Sequence, residues 1–109
     1  MTTTRVTETA EETFAEDVLR SDLPVLAVFT AKHCAPCRQL APVLESLAGD
    51  LPDRLRVVRI DVNANPGLTR DQEVMGTPTM LLFRGGEPVR KMVGALPKRR
   101  ILQEIERLS

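Results

Sequence analysis

The stretch VLAVFTAKHCAPC, residues 25–37, joins an apolar run to a pair of cysteines and decides the fold prediction. Its first part, residues 25–31, is apolar and rich in β-branched residues, which favours a strand covered on both faces. Its last five residues, HCAPC (33–37), contain the only two cysteines and the only histidine of the chain. The sequence therefore places the cysteine pair directly after a buried strand.

An amphipathic helix is predicted to follow the cysteines. Apolar residues recur there at the i, i+3, i+4, i+7 spacing of one helix face, namely Leu40, Val43, Leu44 and Leu47. Gly49 is expected to end the helix. Pro42 lies inside it and predicts a kink, because its ring crowds the carbonyl of Arg38 and offers no N–H.

The rest of the chain alternates between strand and helix patterns. RVTE (5–8) favours a short edge strand, and Thr9 with Glu12 fits a capping box that opens a helix. That helix has an expected apolar face of Phe14, Val18 and Leu19. Residues 55–61 predict a second strand, and residues 63–74 predict a turn with a short helix.

The C-terminal third predicts a hairpin and a last helix. Residues 79–83 and 88–94 form the hairpin strands, joined by a turn at 84–86. The helix is expected to begin at Pro97 and to bury one face, made of Ile101, Leu102, Ile105 and Leu108. Its outer face is expected to hold Gln103, Glu104, Glu106 and Arg107. Alternating strands and helices predict a parallel core, and the hairpin makes the sheet mixed.

Composition narrows the function classes. The 109 residues predict one domain, residues 1–109, and fifteen basic residues balance fifteen acidic ones. No basic excess points to nucleic acid or to an anionic membrane. With no Trp, no Tyr and three Phe, stacking on nucleic-acid bases is disfavoured. The N-terminus lacks the pattern of a secretory leader, so a cytoplasmic location is expected.

Three interpretations of the cysteine pair can be compared. A structural zinc site needs four Cys or His ligands, and the chain has three such residues. Two inert cysteines in a helix are the second interpretation, since a disulfide across so short a loop restrains the unfolded chain weakly. Redox chemistry is the third, because cytosolic disulfides are usually transient and catalytic.

The redox interpretation has a physical basis. Cys34 lies at the predicted start of a helix, where N–H groups and the helix dipole favour a thiolate. Thiols in such settings have pKa values of roughly 3.5–7.5 instead of about 8.5. Cys37 is one turn further along the same face and can form a disulfide with Cys34. Pro36 occupies the first turn, where its missing N–H costs little. An exposed reactive thiol backed by a buried one is what thiol–disulfide exchange requires.

Nearly the whole chain, from about Val6 to Leu108, resembles the thioredoxin family. CAPC resembles the family motif Cys-Gly-Pro-Cys with Ala35 in place of Gly, and Pro42 matches a proline that kinks the following helix. IDVNANP (60–66), GTPTMLLF (76–83) and RGGEPVRKMVGAL (84–96) resemble family motifs in the same order.

The resemblance implies an α/β thioredoxin fold, with a mixed sheet of about five strands flanked by about four helices. It implies a thiol–disulfide oxidoreductase in which Cys34 attacks a protein disulfide and Cys37 resolves the intermediate, without cofactor or metal. Thr77–Pro78 would be a cis peptide beside the disulfide. Substrate would lie against a rim of Gly76, Thr77, Gly94 and Ala95. The implied partners are disulfide-containing proteins and a thioredoxin reductase or other electron donor, and the protein would be a monomer that binds neither nucleic acid nor membrane.

Several positions depart from the family pattern. His33 and Thr30 stand where the family usually has Trp, and Val28 and Val57 replace a buried Asp and its Lys partner. Two interpretations of His33 stay open: an imidazolium that stabilises the Cys34 thiolate, or an exposed residue that fills the space of the missing Trp. The departures also motivate a second function, a binding or scaffold module with secondary redox activity.

Overall fold

The computed structural model describes residues 5–108, which form a five-stranded sheet and four helices. The strands are β1 (Thr7–Glu8), β2 (Val25–Thr30), β3 (Arg56–Asp61), β4 (Thr79–Arg84) and β5 (Glu87–Val93). The helices are a short π-helix (Ala15–Leu19), α1 (Ala35–Asp50), α2 (Pro66–Asp71) and α3 (Lys98–Glu106). The predicted α/β class and mixed sheet are confirmed.

The sheet places β2 at its centre. The strand order is β1-β3-β2-β4-β5. Strand β3 runs parallel to both β1 and β2, whereas β4 is antiparallel to β2 and to β5. The carboxyl end of β2 therefore lies beside the start of β4. The loop after Thr30 therefore lies close to the loop before Thr79, because both loops leave the sheet at the same end of two paired strands.

Apolar residues cover both faces of β2, as its sequence predicts. Leu26 and Val28 belong to one buried cluster, under α1 and α3. Val25, Ala27 and Phe29 belong to the cluster on the opposite face, with Phe14 of the N-terminal segment among its members. These five residues of β2 are fully buried, whereas the last residue of the strand, Thr30, is half-buried. This double burial fixes the central strand and hence the position of the loop after it.

The helix that follows β2 continues past the stop predicted at Gly49. Gly49 lies within α1, which continues to Asp50, so the prediction that Gly49 stops the helix is wrong. Its backbone is not left-handed, and Leu51 provides the C-cap through an N–H···O bond to Leu47. Pro52 follows, and a residue before proline is disfavoured in the helical conformation. Pro42 lies inside the helix, as predicted.

The N-terminal capping box is not formed. The Thr9 hydroxyl donates to Asp17 Oδ2 at 2.8 Å, and Glu12 is exposed. The turn that follows becomes a π-helix instead of an α-helix opened by Thr9. Phe14 and Val18 are buried as predicted, but Leu19 is 39% exposed. A polar partner eight residues along the chain has replaced the local cap.

The C-terminal elements follow the sequence pattern closely. Gly85 and Gly86 form the two-residue hairpin turn, with φ values of 59° and 83° that suit glycine. Pro97 is the N-cap of α3, and Ile101 is fully buried. Glu104 differs from the expectation, because its side chain is only 16% exposed and pairs with Arg90 at 3.2 Å.

Candidate active site

Cys34 and Cys37 form a disulfide at the start of α1. Cys34 is the N-cap residue, and its extended backbone leads directly from β2 into the helix. The two Cα atoms are 5.2 Å apart. The Cys37 N–H donates to Cys34 Sγ at 3.2 Å, so the sulfur occupies the place of a capping oxygen. The structure thus brings together the two sulfurs at the helix N-terminus, as the sequence predicts.

Burial does not separate the two cysteines. Cys34 is 8% exposed and Cys37 is 7% exposed, so the predicted contrast between an exposed and a buried thiol is wrong. Thr77, in the segment before β4, contacts the Cys34 sulfur. The outer surface of the motif consists of exposed neighbours: His33, Ala35, Pro36 and Arg38. What distinguishes Cys34 is that its sulfur accepts hydrogen bonds from the Cys37 N–H and the Thr77 hydroxyl.

The Thr77–Pro78 segment packs against Cys34. Its peptide bond is cis, which agrees with the family resemblance. The Thr77 hydroxyl donates to Cys34 Sγ at 3.4 Å, and the Thr77 carbonyl oxygen is 3.7 Å from the same sulfur. Pro78 is buried. The resemblance predicted a role for the Thr77 backbone, but it did not predict the contact of its side chain.

Two hydrogen bonds hold this segment in place. The Thr79 hydroxyl, 1% exposed, donates to the Gly76 carbonyl at 2.6 Å. The Gly94 N–H donates to the Pro78 carbonyl at 2.9 Å. The second bond joins the loop after β5 to the segment before β4. Ala95 follows Gly94 in the first of these loops and is exposed. The predicted rim residues therefore belong to two connected loops.

An apolar rim extends beyond the predicted residues. Met75, next to Gly76, is 94% exposed, and Val93, next to Gly94, is 62% exposed. No spacing rule marks either residue as exposed, since Met and Val are usually buried. Both side chains therefore add exposed apolar surface next in the chain to the predicted rim residues.

The buried cluster under α1 is apolar at the two positions that depart from the family pattern. Val28 and Val57 are 0% and 1% exposed and share a cluster with Leu40 of α1. Among residues 5–108, the buried polar side chains are Thr9, Asn65 and Thr79, and none is a carboxylate. In the same range no three His, Cys, Asp or Glu side chains come together as metal ligands. No helix within the described part of the chain is long and apolar enough to cross a bilayer.

Comparisons with known proteins agree with this geometry. The Thioredoxin family model matches residues 5–107. The thioredoxin of Mycolicibacterium smegmatis is 46% identical over 97 residues, which cover 87% of this chain and 87% of that protein. The thioredoxin of Mycobacterium tuberculosis strain H37Rv is 43% identical over 95 residues, covering 87% of this chain and 82% of that protein.

A longer relative carries the same unit beside a second one. The bifunctional thioredoxin reductase/thioredoxin of Mycobacterium leprae is 43% identical over 98 residues. The match covers 90% of this chain but only 21% of that protein, so the chain spans about a fifth of its length. Together with the family model and the full-length relatives, the matched residues show that the chain belongs to the thioredoxin family of thiol–disulfide oxidoreductases.

Proposed function

We propose that this chain reduces disulfide bonds in other proteins, with Cys34 as the attacking thiolate and Cys37 as the resolving thiol. The observation that carries the assignment is the direction of one hydrogen bond: the Cys37 N–H donates to Cys34 Sγ at 3.2 Å. A helix N-cap stabilises negative charge on the capping atom. Cys34 is the N-cap, the position at which the N–H groups of a helix favour the thiolate form of a cysteine.

The reaction balances as a transfer of two electrons. The Cys34 thiolate attacks one sulfur of the substrate disulfide, whose S–S bond breaks, and the departing substrate thiolate takes a proton. The Cys37 thiol loses its proton and attacks Cys34 Sγ, which breaks the mixed disulfide and releases the second substrate thiolate, which takes up the proton that Cys37 released. The products are a substrate dithiol and the Cys34–Cys37 disulfide of the oxidised protein.

The two loops around the disulfide are the proposed substrate surface. Thr77 offers backbone groups to an extended substrate segment, a form of strand addition. Pro78 holds that segment beside Cys34, and Gly76, Gly94 and Ala95 leave room for the substrate backbone. A Cβ built at Gly76 meets nothing within 4 Å, which supports an open approach at this position.

Filling that space should impair protein substrates selectively. We expect Gly76→Leu to fold as the parent does, because the site is open and its φ is not left-handed. Its kcat/KM for a protein disulfide should fall at least about tenfold, the effect of losing about 1.4 kcal/mol of transition-state binding. Its rate with a small aromatic disulfide, which needs no strand pairing, should change little. Equal loss on both substrates would contradict the proposed surface.

The oxidised protein requires an electron donor. The printed name of the Mycobacterium leprae relative joins a thioredoxin reductase to a thioredoxin in one chain. We propose that a separate thioredoxin reductase, or another electron donor, reduces the Cys34–Cys37 disulfide of this chain. The proposed working form is a single copy of one domain in the cytoplasm, without nucleic acid or membrane partners.

Covalent trapping tests the assignment of the two cysteines. Cys37→Ser should accumulate mixed disulfides with substrate proteins, because the serine hydroxyl cannot resolve the intermediate. The complexes should be visible on non-reducing gels and should disappear with dithiothreitol. The matched controls are Cys34→Ser and the double variant Cys34→Ser, Cys37→Ser, which should trap nothing. A scaffold role predicts the opposite: no covalent partner for Cys37→Ser and retained biological function in the double variant.

A further inference from the structure

We propose that the Thr77 side chain is a further catalytic residue, whose hydroxyl donates a hydrogen bond to the Cys34 thiolate. The inference deepens the proposed function and rests on Cys34 being the attacking sulfur. Thr77 Oγ1 is 3.4 Å from Cys34 Sγ across 43 positions of sequence. A hydroxyl hydrogen bond is stronger to a thiolate than to a disulfide sulfur, because it is then charge-assisted. The contact consequently favours the reduced, ionised protein over the oxidised one.

The hydroxyl is held where it can act. The Thr79–Gly76 and Gly94–Pro78 hydrogen bonds fix both sides of Thr77. Thr77 itself is half-buried. Its rigidity matters because a donor that needs no reorganisation stabilises charge most effectively. The Thr77 hydroxyl and the Cys37 N–H thus approach one sulfur from separate elements, the segment before β4 and the first turn of α1.

Other polar groups near Cys34 can also affect its ionisation, and a test has to isolate the contribution of the Thr77 hydroxyl. The Thr77 carbonyl, 3.7 Å from the sulfur, can accept from the protonated thiol and so favours the neutral form. The charged or titratable neighbours in sequence are Lys32, His33 and Arg38, which are all exposed and donate no hydrogen bond to the sulfur within residues 5–108. A substitution that removes only the hydroxyl leaves all of these groups in place.

Thr77→Val makes that substitution, since valine has the shape of threonine without its oxygen. In a Cys37→Ser background, Cys34 is the only thiol, and its pKa can be read from pH-dependent alkylation. We expect Thr77→Val to raise the Cys34 pKa by about one unit, a tenfold change in the ionisation equilibrium. Thr77→Ser keeps the hydroxyl and should stay near the parent value. Thr77→Ala should behave as Thr77→Val and serves if valine impairs folding.

The redox potential gives a second readout in the two-cysteine protein. A tenfold loss of stabilisation of the reduced form lowers the potential by up to about 30 mV. An unchanged pKa in Thr77→Val, or an equal rise in Thr77→Ser, would overturn the inference. The pKa is measured on the purified protein without substrate. Failure of the Thr77 inference can therefore be distinguished from failure of the proposed function. Failure of the proposed function would appear as absent trapping by Cys37→Ser.

Discussion

Val28→Asp is expected to destabilise the protein by about 3–5 kcal/mol at neutral pH, because it places an unpaired carboxylate in the core. Val28 is fully buried between β3 and β4, opposite Arg59 and Met80 along the backbone register. No buried carboxylate or cation is found among residues 5–108 that could serve it as a partner. Against a total stability of about 5–15 kcal/mol, the loss should be evident in urea unfolding followed by circular dichroism.

The pH dependence of this loss has a definite sign. Burial raises the pKa of the introduced carboxyl above its unfolded value of about 3.9. The folded variant then binds its proton more tightly than the unfolded one, so stability falls as the pH rises from the unfolded pKa to the folded pKa. Val28→Asn is the matched control, with the same shape and no charge. Parallel stability curves for the Asp and Asn variants from pH 4 to 8 would contradict the argument.

Gly86→Ala should cost about 3 kcal/mol, the sum of a left-handed backbone penalty and an overpacked contact. Gly86 has a φ of 83°, and a Cβ there would lie 3.0 Å from the Leu19 carbonyl oxygen. That oxygen belongs to backbone at the end of the π-helix, which cannot swing aside as a side chain can. The measurement is again the urea midpoint followed by circular dichroism.

Gly85→Ala provides the internal comparison. Gly85 also has a positive φ, 59°, but a Cβ there meets nothing within 4 Å. Gly85→Ala should therefore lower the free energy of unfolding only by the cost of the left-handed backbone, about 1–2 kcal/mol. If the two alanine variants lose the same stability, the contact between the hairpin turn and Leu19 carries no energy.

The features read correctly from sequence depend on strong local or periodic signals. The apolar run of β2 predicts a buried strand, and the Gly85–Gly86 pair predicts a hairpin turn; the structure contains both. The errors arose where a distant or neighbouring group decided the outcome. The Thr9 hydroxyl donates to Asp17 and does not cap the helix as expected. Helix α1 continues to Asp50, with Leu51 as its C-cap before Pro52, and does not end at Gly49.

The site was predictable in its covalent part and less so in its surroundings. Placement of Cys34 at a helix start follows from a strand and a helix pattern on either side of it. Its burial depends on the Thr77–Pro78 segment, which is separated from it by more than forty residues and packs on it only in the folded chain. The exposure of Met75 is set in the same way, by which side of that loop faces solvent.

The central place of β2 in the sheet leaves this strand partly unpaired while the chain is being synthesised. One edge of this strand pairs with β3, but its other edge must wait for β4, which is made much later. Until then VLAVFT presents unpaired backbone groups and apolar side chains, the combination that promotes strand-to-strand association between chains. Nascent chains halted between β3 and β4 should therefore aggregate or recruit chaperones more than chains that also contain β4, β5 and α3.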